Sequence, residues 1–418
     1  MAKPAKPGPA TAAVEDETGW VEATLRARPE KFARILEQAA ELRAQVIVGK
    51  LERVKASKGH PAHWKLFQDG FRTDAEYFYP ASAIKICVAV TALAEFRQVT
   101  KKVSGVARDT PLAWYSIFSG PKRIDKDATS PDGNITLDWE LHKALILSDN
   151  DAYNRLFEMS GQREANERLW EAGLPSVRIW HRLNSTRTAE ENRHTQRIDI
   201  LVPGRRNPPS IPERTSELEL APPNIPGLDV GTAYIATDNK TRVEGPMSFR
   251  EKNAVSLVDL QRLLAAIVRP DVETGVHDLG LQELDRRFLR DVLGEDVAKL
   301  NPTLWNGPDY LENDFRPSLP GVLRVKNRTR EDIDTRGKAG RAYGFHVENA
   351  YYRDKKTGRA FFLAAVLYAN KNGVLNDGLY EYDSMTEPFM QDLGEVFAQA
   401  VFESKPAKPA RRAKPSTK

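Results

Sequence analysis

Three short runs carry side chains that could do acyl chemistry. Ser82 and Lys85 stand three residues apart in Ser82-Ala83-Ile84-Lys85. On a helix that spacing puts both on one face, with Cβ atoms about 5–6 Å apart. Burial lowers the pKa of a lysine, and a neutral amine so placed can take the hydroxyl proton and make the serine a nucleophile. The spacing alone recurs at Ser119 and Lys122, but there Gly120 and Pro121 forbid the helical face. Ser82 differs because it follows Pro80 and heads an apolar run, Ile84–Leu93, where a polar pair needs a reason. The second run is Ser148-Asp149-Asn150, between two helical patterns; all three residue types also favour helix caps. The third is Lys338-Ala339-Gly340, in a predicted strand, where small residues let a ligand approach the backbone. Lys356-Thr357-Gly358 has the same K-x-G form but falls in a hairpin turn, where a lysine is solvated and the glycine supplies positive φ.

The elements that must position these runs are legible in outline. Helices are predicted over Pro29–Leu42, Ser82–Phe96, Leu137–Ser148, Ala152–Met159 and Arg163–Ala172, with Gly161 and Gly173 as stops. Later helices follow at Ser256–Val268, entered by an S-x-x-D signal, at Leu281–Leu293 and at Glu387–Glu403. Strands are predicted at Gln45–Val54, His63–Arg72, Val322–Asn327, Gly337–Gly344, His346–Arg353 and Ala360–Ala369, with Asp354–Gly358 as a hairpin turn. Between Asn184 and Asn253 prolines at 203, 208, 209, 212, 222, 223 and 226 break any long element, so this stretch reads as a partly ordered surface loop or insertion. Strands at both ends with helices between imply one antiparallel sheet built from the two termini plus an all-helical lobe, an α+β fold.

Composition narrows the classes. Of 418 residues 40% are hydrophobic and 29% charged, enough apolar content to bury a core. No apolar run is long enough to span a membrane. Cys87 is the only cysteine, which excludes a disulfide framework and any multi-cysteine metal site; it reads as a buried, inert thiol. The net charge of +4 resides in the tail: Lys405–Lys418 carries six cations and no acid, leaving residues 1–404 at −2. A basic body that wraps nucleic acid is therefore not indicated. The Ala/Pro/Lys-rich ends, 1–18 and 405–418, are expected to be disordered, and the N-terminus shows no signal peptide. The seven histidines show no metal spacing, and His181 and His194 read as structural or solvated residues.

In order, the three runs are the S-x-x-K, S-D-N and K-T-G set of class A β-lactamases and penicillin-binding proteins. The resemblance extends through FYPASAIK, ITLDWELHKALILSDNDAYNRLFEMSG, SLVDLQRLLAAI and KAGRAYGFHVENAYYRDKKTGRAFFLAAVLYAN, and covers most of Glu76–Phe402. It places Lys338, not Lys356, at the functional position. It implies a β-lactamase/transpeptidase-like catalytic domain over 28–404: a sheet lobe of about 28–75 and 320–404, and a helical lobe of about 76–319 carrying the Pro-rich insertion 185–253. It also implies a serine-acylating hydrolase that attacks a β-lactam or related amide or ester carbonyl, as in antibiotic resistance. Ser82 would be the acylated nucleophile, Lys85 its activator, and Ser148 the relay to the leaving nitrogen. Lys338 would supply positive charge and Asn150 would hold the substrate amide. Ala339, Gly340 and Arg341 would line the substrate, with the backbone N–H groups of Ser82 and Arg341 as oxyanion hole.

Two positions depart from the family pattern. Ala339 lacks the usual hydroxyl. In the family's E-x-x-L-N loop the glutamate activates the deacylating water; here the stretch is Trp180-His181-Arg182-Leu183-Asn184, so Leu183 and Asn184 fit while Trp180 replaces the glutamate. Glu190 and Glu191 lie downstream with no spacing that returns them to Ser82. The alternatives are a DD-peptidase or esterase of the same fold with slow deacylation, and a non-catalytic binding protein. No cofactor and no metal are implied. The expected partner is a small β-lactam or peptidoglycan-like molecule bound by a monomer, with no nucleic acid. The family implies a periplasmic or secreted protein, whereas no export signal is visible.

Overall fold

The computed structural model describes residues 19–57, 61–297 and 315–404; the two expected tails, 1–18 and 405–418, lie outside them. The chain opens with two short helices, α1 (Trp20–Arg26) and α2 (Pro29–Glu37). Strands β1 (Gln45–Val54) and β2 (His63–Phe71) follow. β1 pairs antiparallel with β7 (Ala360–Tyr368) from the far end of the chain, Val46 opposite Ala365. The sheet continues through β6 (Phe345–Asp354) to β4 (Ile333–Gly337), with β5 (Gly340–Ala342) pairing the other end of β6. The sheet therefore comes from both chain ends, as expected. β7 is an almost unbroken apolar run because both its faces are buried. Phe361, Leu363 and Ala365 face the terminal helices, and Phe362, Ala364 and Val366 face the helical lobe.

The other edge departs from the antiparallel expectation. β3 (Val272–Glu273) pairs parallel with β2 just after α7 (Leu257–Val268), which lies on the sheet. Ser256 Oγ accepts the Asp259 N–H and caps α7. The predicted strand Val322–Asn327 is a second correction. The chain there leaves a one-turn helix, α9 (Leu319–Val322), and the strand begins at Ile333. Leu319–Val325 is apolar because it packs against α10 (Glu387–Phe402), not because it pairs in a sheet. Gly321 and Gly394 allow the two helices to meet at the backbone: a Cβ at Gly321 would lie 1.7 Å from the Gln391 carbonyl oxygen. The predicted strand Gly337–Gly344 is interrupted at Lys338 and Ala339, between β4 and β5.

In the helical lobe, α3 (Lys85–Thr100) is buried on nearly every side, so its sequence shows no polar stripe. It packs against α5 (Asn150–Ser160) and α6 (Gln162–Glu171); α4 (Leu137–His142) and α8 (Glu283–Val292) complete the lobe. The stretch read as a loop or insertion folds into paired strands of two to four residues. Arg197–Ile200 pairs with Leu112–Tyr115, Asp229–Val230 with Met247–Ser248, and Ala233–Ile235 with Arg242–Glu244 and Val374–Leu375. Ile198, Ile200, Ile211 and Phe249 anchor it in the core.

Candidate active site

Ser82 lies in the 3₁₀ turn Ala81–Ile84 that leads into α3, just after Ala81 takes a left-handed backbone conformation (φ +48°). A first-turn N–H has no helical carbonyl to bond, so the Ser82 amide is a natural anion donor. Lys85 opens α3 and is fully buried. Its Nζ donates to the Ser148 carbonyl, to Asn150 Oδ1 at 2.8 Å and, more loosely, to Ser148 Oγ at 3.4 Å. Burial pushes this ammonium down to about 7, against the opposing charge of Asp149. Among the described residues Ser82 Oγ makes no hydrogen bond; it is half-buried at the mouth of the cleft.

Ser148 is delivered by an unusual backbone. After His142 the helix widens into a π turn, Lys143–Leu147, and Ser148 follows with φ +59°. Bulges and left-handed non-glycine residues of this kind are costly and concentrate at functional sites. A buried charge cluster holds the turn in place. Lys143 pairs with Asp127 and, at 3.1 Å, with Glu140, while Arg155 on α5 reaches Glu140 at 3.1 Å. Asp149 then caps α5 by accepting the Ala152 N–H at 2.7 Å, which fixes Asn150 as its first residue.

Lys338, 2% exposed, donates from Nζ to Ser148 Oγ at 2.8 Å. Burial pushes its ammonium well down, and the charges of Lys85 and Arg316 add to the effect. Both lysines therefore converge on one hydroxyl. Lys356 is exposed on the β6–β7 turn and bonds Asp332 Oδ2 at 2.7 Å. Ser119 and Lys122 lie in an exposed turn.

β5 runs in backbone contact with the Ser82 turn. A Cβ at Gly340 would sit 2.4 Å from the Ser82 nitrogen, so only glycine fits there. The Arg341 guanidinium donates to Glu387 Oε1 at 2.6 Å and to His346 Nε2 at 3.3 Å, and His346 Nδ1 meets Thr386 Oγ1 at 2.6 Å. This chain ties β5 to the start of α10. Burial pushes His346 down to about 3, so it stays neutral.

A cleft of about 440 Å³ opens over Ser82, and Asn150, Asn184 and Arg341 share its wall. Of the expected substrate-lining residues, Asn150, Asn184 and Arg341 are thus gathered, whereas Ala339 and Gly340 are buried and do not line the cleft. Sequence reasoning passed over Tyr79, Tyr343, Tyr380 and Asn376, which also line it. Tyr79 was visible in the FYPASAIK segment; Asn376 and Tyr380 follow β7 in a loop that carries no motif.

Among the described residues no Asp or Glu side chain lines this cleft. Leu183 and Asn184 reach it, but Trp180 lines a separate cleft behind the loop. Glu190 bonds His194 at 3.1 Å, and Glu191 closes a capping turn with Thr188 at 2.8 Å. His181 stacks parallel on Tyr79 with ring centroids 6.5 Å apart, and burial lowers it to about 4, consistent with a structural residue. Among the described residues no cluster of three or more His, Cys, Asp or Glu side chains is arranged to hold a metal, and no helix is long and apolar enough to cross a membrane.

Residues 68–203 match the model of the beta-lactamase enzyme family. The chain is similar to that family. The match takes in Ser82, Lys85, Ser148, Asn150 and Asn184, while Lys338–Arg341 lie beyond it. No curated protein matches the chain. Among solved structures, a beta lactamase from Burkholderia vietnamiensis is similar at 14% identity and a TM-score of 0.47, covering 89% of this chain and 96% of that one. A class A beta-lactamase from Mycobacterium abscessus is similar at 13% identity and a TM-score of 0.45, covering 89% and 99%.

Proposed function

We propose that this β-lactamase-like chain is a serine-acylating hydrolase whose acyl-enzyme on Ser82 forms readily and hydrolyses slowly. The observation that carries the reading is the convergence of Lys85 and Lys338 on Ser148, beside Ser82, in a buried site. Neutral Lys85 accepts the Ser82 proton as Oγ attacks the substrate carbonyl carbon. The negative charge that develops on oxygen faces the Ser82 and Arg341 amides, which the Gly340 contact holds side by side. Ser148 Oγ gives its proton to the leaving nitrogen as the C–N bond breaks and is resupplied by a lysine ammonium. Asn150 and Asn184 orient the substrate amide.

Hydrolysis of the ester then needs a base for water, and among the described residues the cleft wall offers no carboxylate. A positioned general base contributes about 10²–10⁴-fold. Without one, acylation outruns deacylation. The substrate class is a β-lactam or a related amide or ester. The lack of a carboxylate among the described cleft residues also favours a second reading within the same chemistry, a peptidase or esterase of penicillin-binding type. A non-catalytic binding protein is less well supported, because burying two lysines against one serine is a cost that binding alone does not require.

Stopped-flow mixing with a chromogenic cephalosporin tests the reading. It should give a burst of about one equivalent followed by slow turnover. Rapid steady turnover without a burst would overturn the slow-deacylation half, and covalent labelling that survives Ser82→Ala would overturn the nucleophile.

A further inference from the structure

Behind the Trp180–Asn184 loop lies a second cleft of about 660 Å³, walled on its far side by residues of the insertion. Five cations line it against three carboxylates. Four of the five are already committed: Arg182 to Glu158, Arg187 to Glu191, Arg193 to Glu190 and Arg250 to Asp229. Lys252 is the exception. It is half-buried, and among the described residues its ammonium makes no ion pair or hydrogen bond. Burial lowers its pKa, and Glu219 and Glu251, the cleft's carboxylates that pair with none of the arginines, are exposed and make no ion pair with it. An unpaired, partly desolvated ammonium in a concave site is unfavourable until an anion joins it.

The adjoining wall is also unsatisfied. Trp180 Nε1 and His181 Nε2 are buried ring nitrogens with no hydrogen-bond partner. His181 Nδ1 faces the Arg182 carbonyl, which can only accept, so the proton sits on Nδ1 and Nε2 keeps a lone pair. Both rings line the cleft, and the Lys252 charge acts on the His181 ring.

We propose that this second cleft binds a small organic carboxylate, with Lys252 as its charge partner and the Trp180 indole as its apolar wall. The site is distinct from the Ser82 cleft but adjoins it, because Trp180–Arg182 run directly into Leu183 and Asn184 and His181 stacks on Tyr79. It does not depend on the acylation chemistry.

Calorimetric titration of the full chain with benzoate tests the proposal. A single saturable site is expected. Lys252→Met should weaken it by about 10-fold or more, since a charge-assisted contact is lost, and Lys252→Arg should keep most of the affinity. Trp180→Phe should weaken it by a smaller factor, while Asn184→Ala in the other cleft should leave it unchanged. If Lys252→Met does not fold, as read by circular dichroism, Lys252→Gln takes its place. No saturable heat up to about 20 mM, or equal heat in wild type and the charge-removing variant, would overturn the site. Loss of binding in Asn184→Ala with Lys252→Met unaffected would move the carboxylate to the Ser82 cleft and equally overturn it.

Discussion

The two sides of the Ser82 cleft are built to different standards. On the acylation side, Lys85, Ser148, Asn150 and Lys338 are interlocked by hydrogen bonds of 2.8–3.4 Å, and buried lysines meet a hydroxyl. On the loop side, Leu183 and Asn184 close the cleft with no ionisable group, and Trp180 lines a different cleft. Among the described residues, ionisable groups gather on the Ser82 side and no carboxylate lines the loop side. That asymmetry is why formation and breakdown of an acyl-enzyme are expected to diverge.

The sharpest way to break the comparison is Ser82→Ala. It should abolish covalent labelling by penicillin while leaving thermal stability close to wild type, because Ser82 Oγ makes no hydrogen bond among the described residues. Intact-mass measurement decides this. A smaller but large effect separates the two K-x-G lysines. Lys338→Ala should slow acylation about 10-fold or more through loss of a buried charge-assisted contact. Lys356→Ala, on an exposed turn, should change the rate by less than about 2-fold. Burst rates of the two variants check the pair, and equal effects would erase the contrast.

Those lysines also show what was legible in the chain. The identities and order of Ser82, Lys85, Ser148, Asn150 and Lys338 could be read because side-chain type and local spacing encode them. The hairpin at Asp354–Gly358 excluded Lys356 for the same local reason. The π turn before Ser148 and its left-handed backbone could not be read: Lys143–Leu147 is an ordinary helical sequence, and the ion pairs around it reach to Asp127 and Arg155, distant in the chain. Val322–Asn327 reads as a strand in the sequence because an apolar run suits a strand and a packed helix alike. Only the long-range meeting of Gly321 with α10 separates the two.

A third experiment sharpens the loop side. Asn184 lines the cleft and holds φ +47°, a conformation aspartate tolerates. Asn184→Asp should place a carboxylate near the ester and raise the deacylation rate, by about 10-fold for an unoptimised base against the 10²–10⁴ of a positioned one. Trp180→Glu should not, because that side chain lines the other cleft. Single-turnover decay of the acyl-enzyme reads both.

The smallest effect concerns pH. Burial lowers Lys85 to about 7, and in the proposed mechanism its neutral form is the base. The acylation rate should therefore rise as pH increases through about 7 and level off above it, and fall as Lys85 becomes protonated below. A burst rate that is flat or declining between pH 6 and 8 would remove Lys85 from that role.

The central claim is that Ser82 is acylated faster than it is released. Mixing the protein with one equivalent of a penicillin and following intact mass with time tests it directly. The account predicts a single adduct of the full penicillin mass, mapped to Ser82, that forms quickly and persists through many half-times of its own formation. Rapid loss of the penicillin with no adduct at any time, or an adduct on another residue, would contradict it.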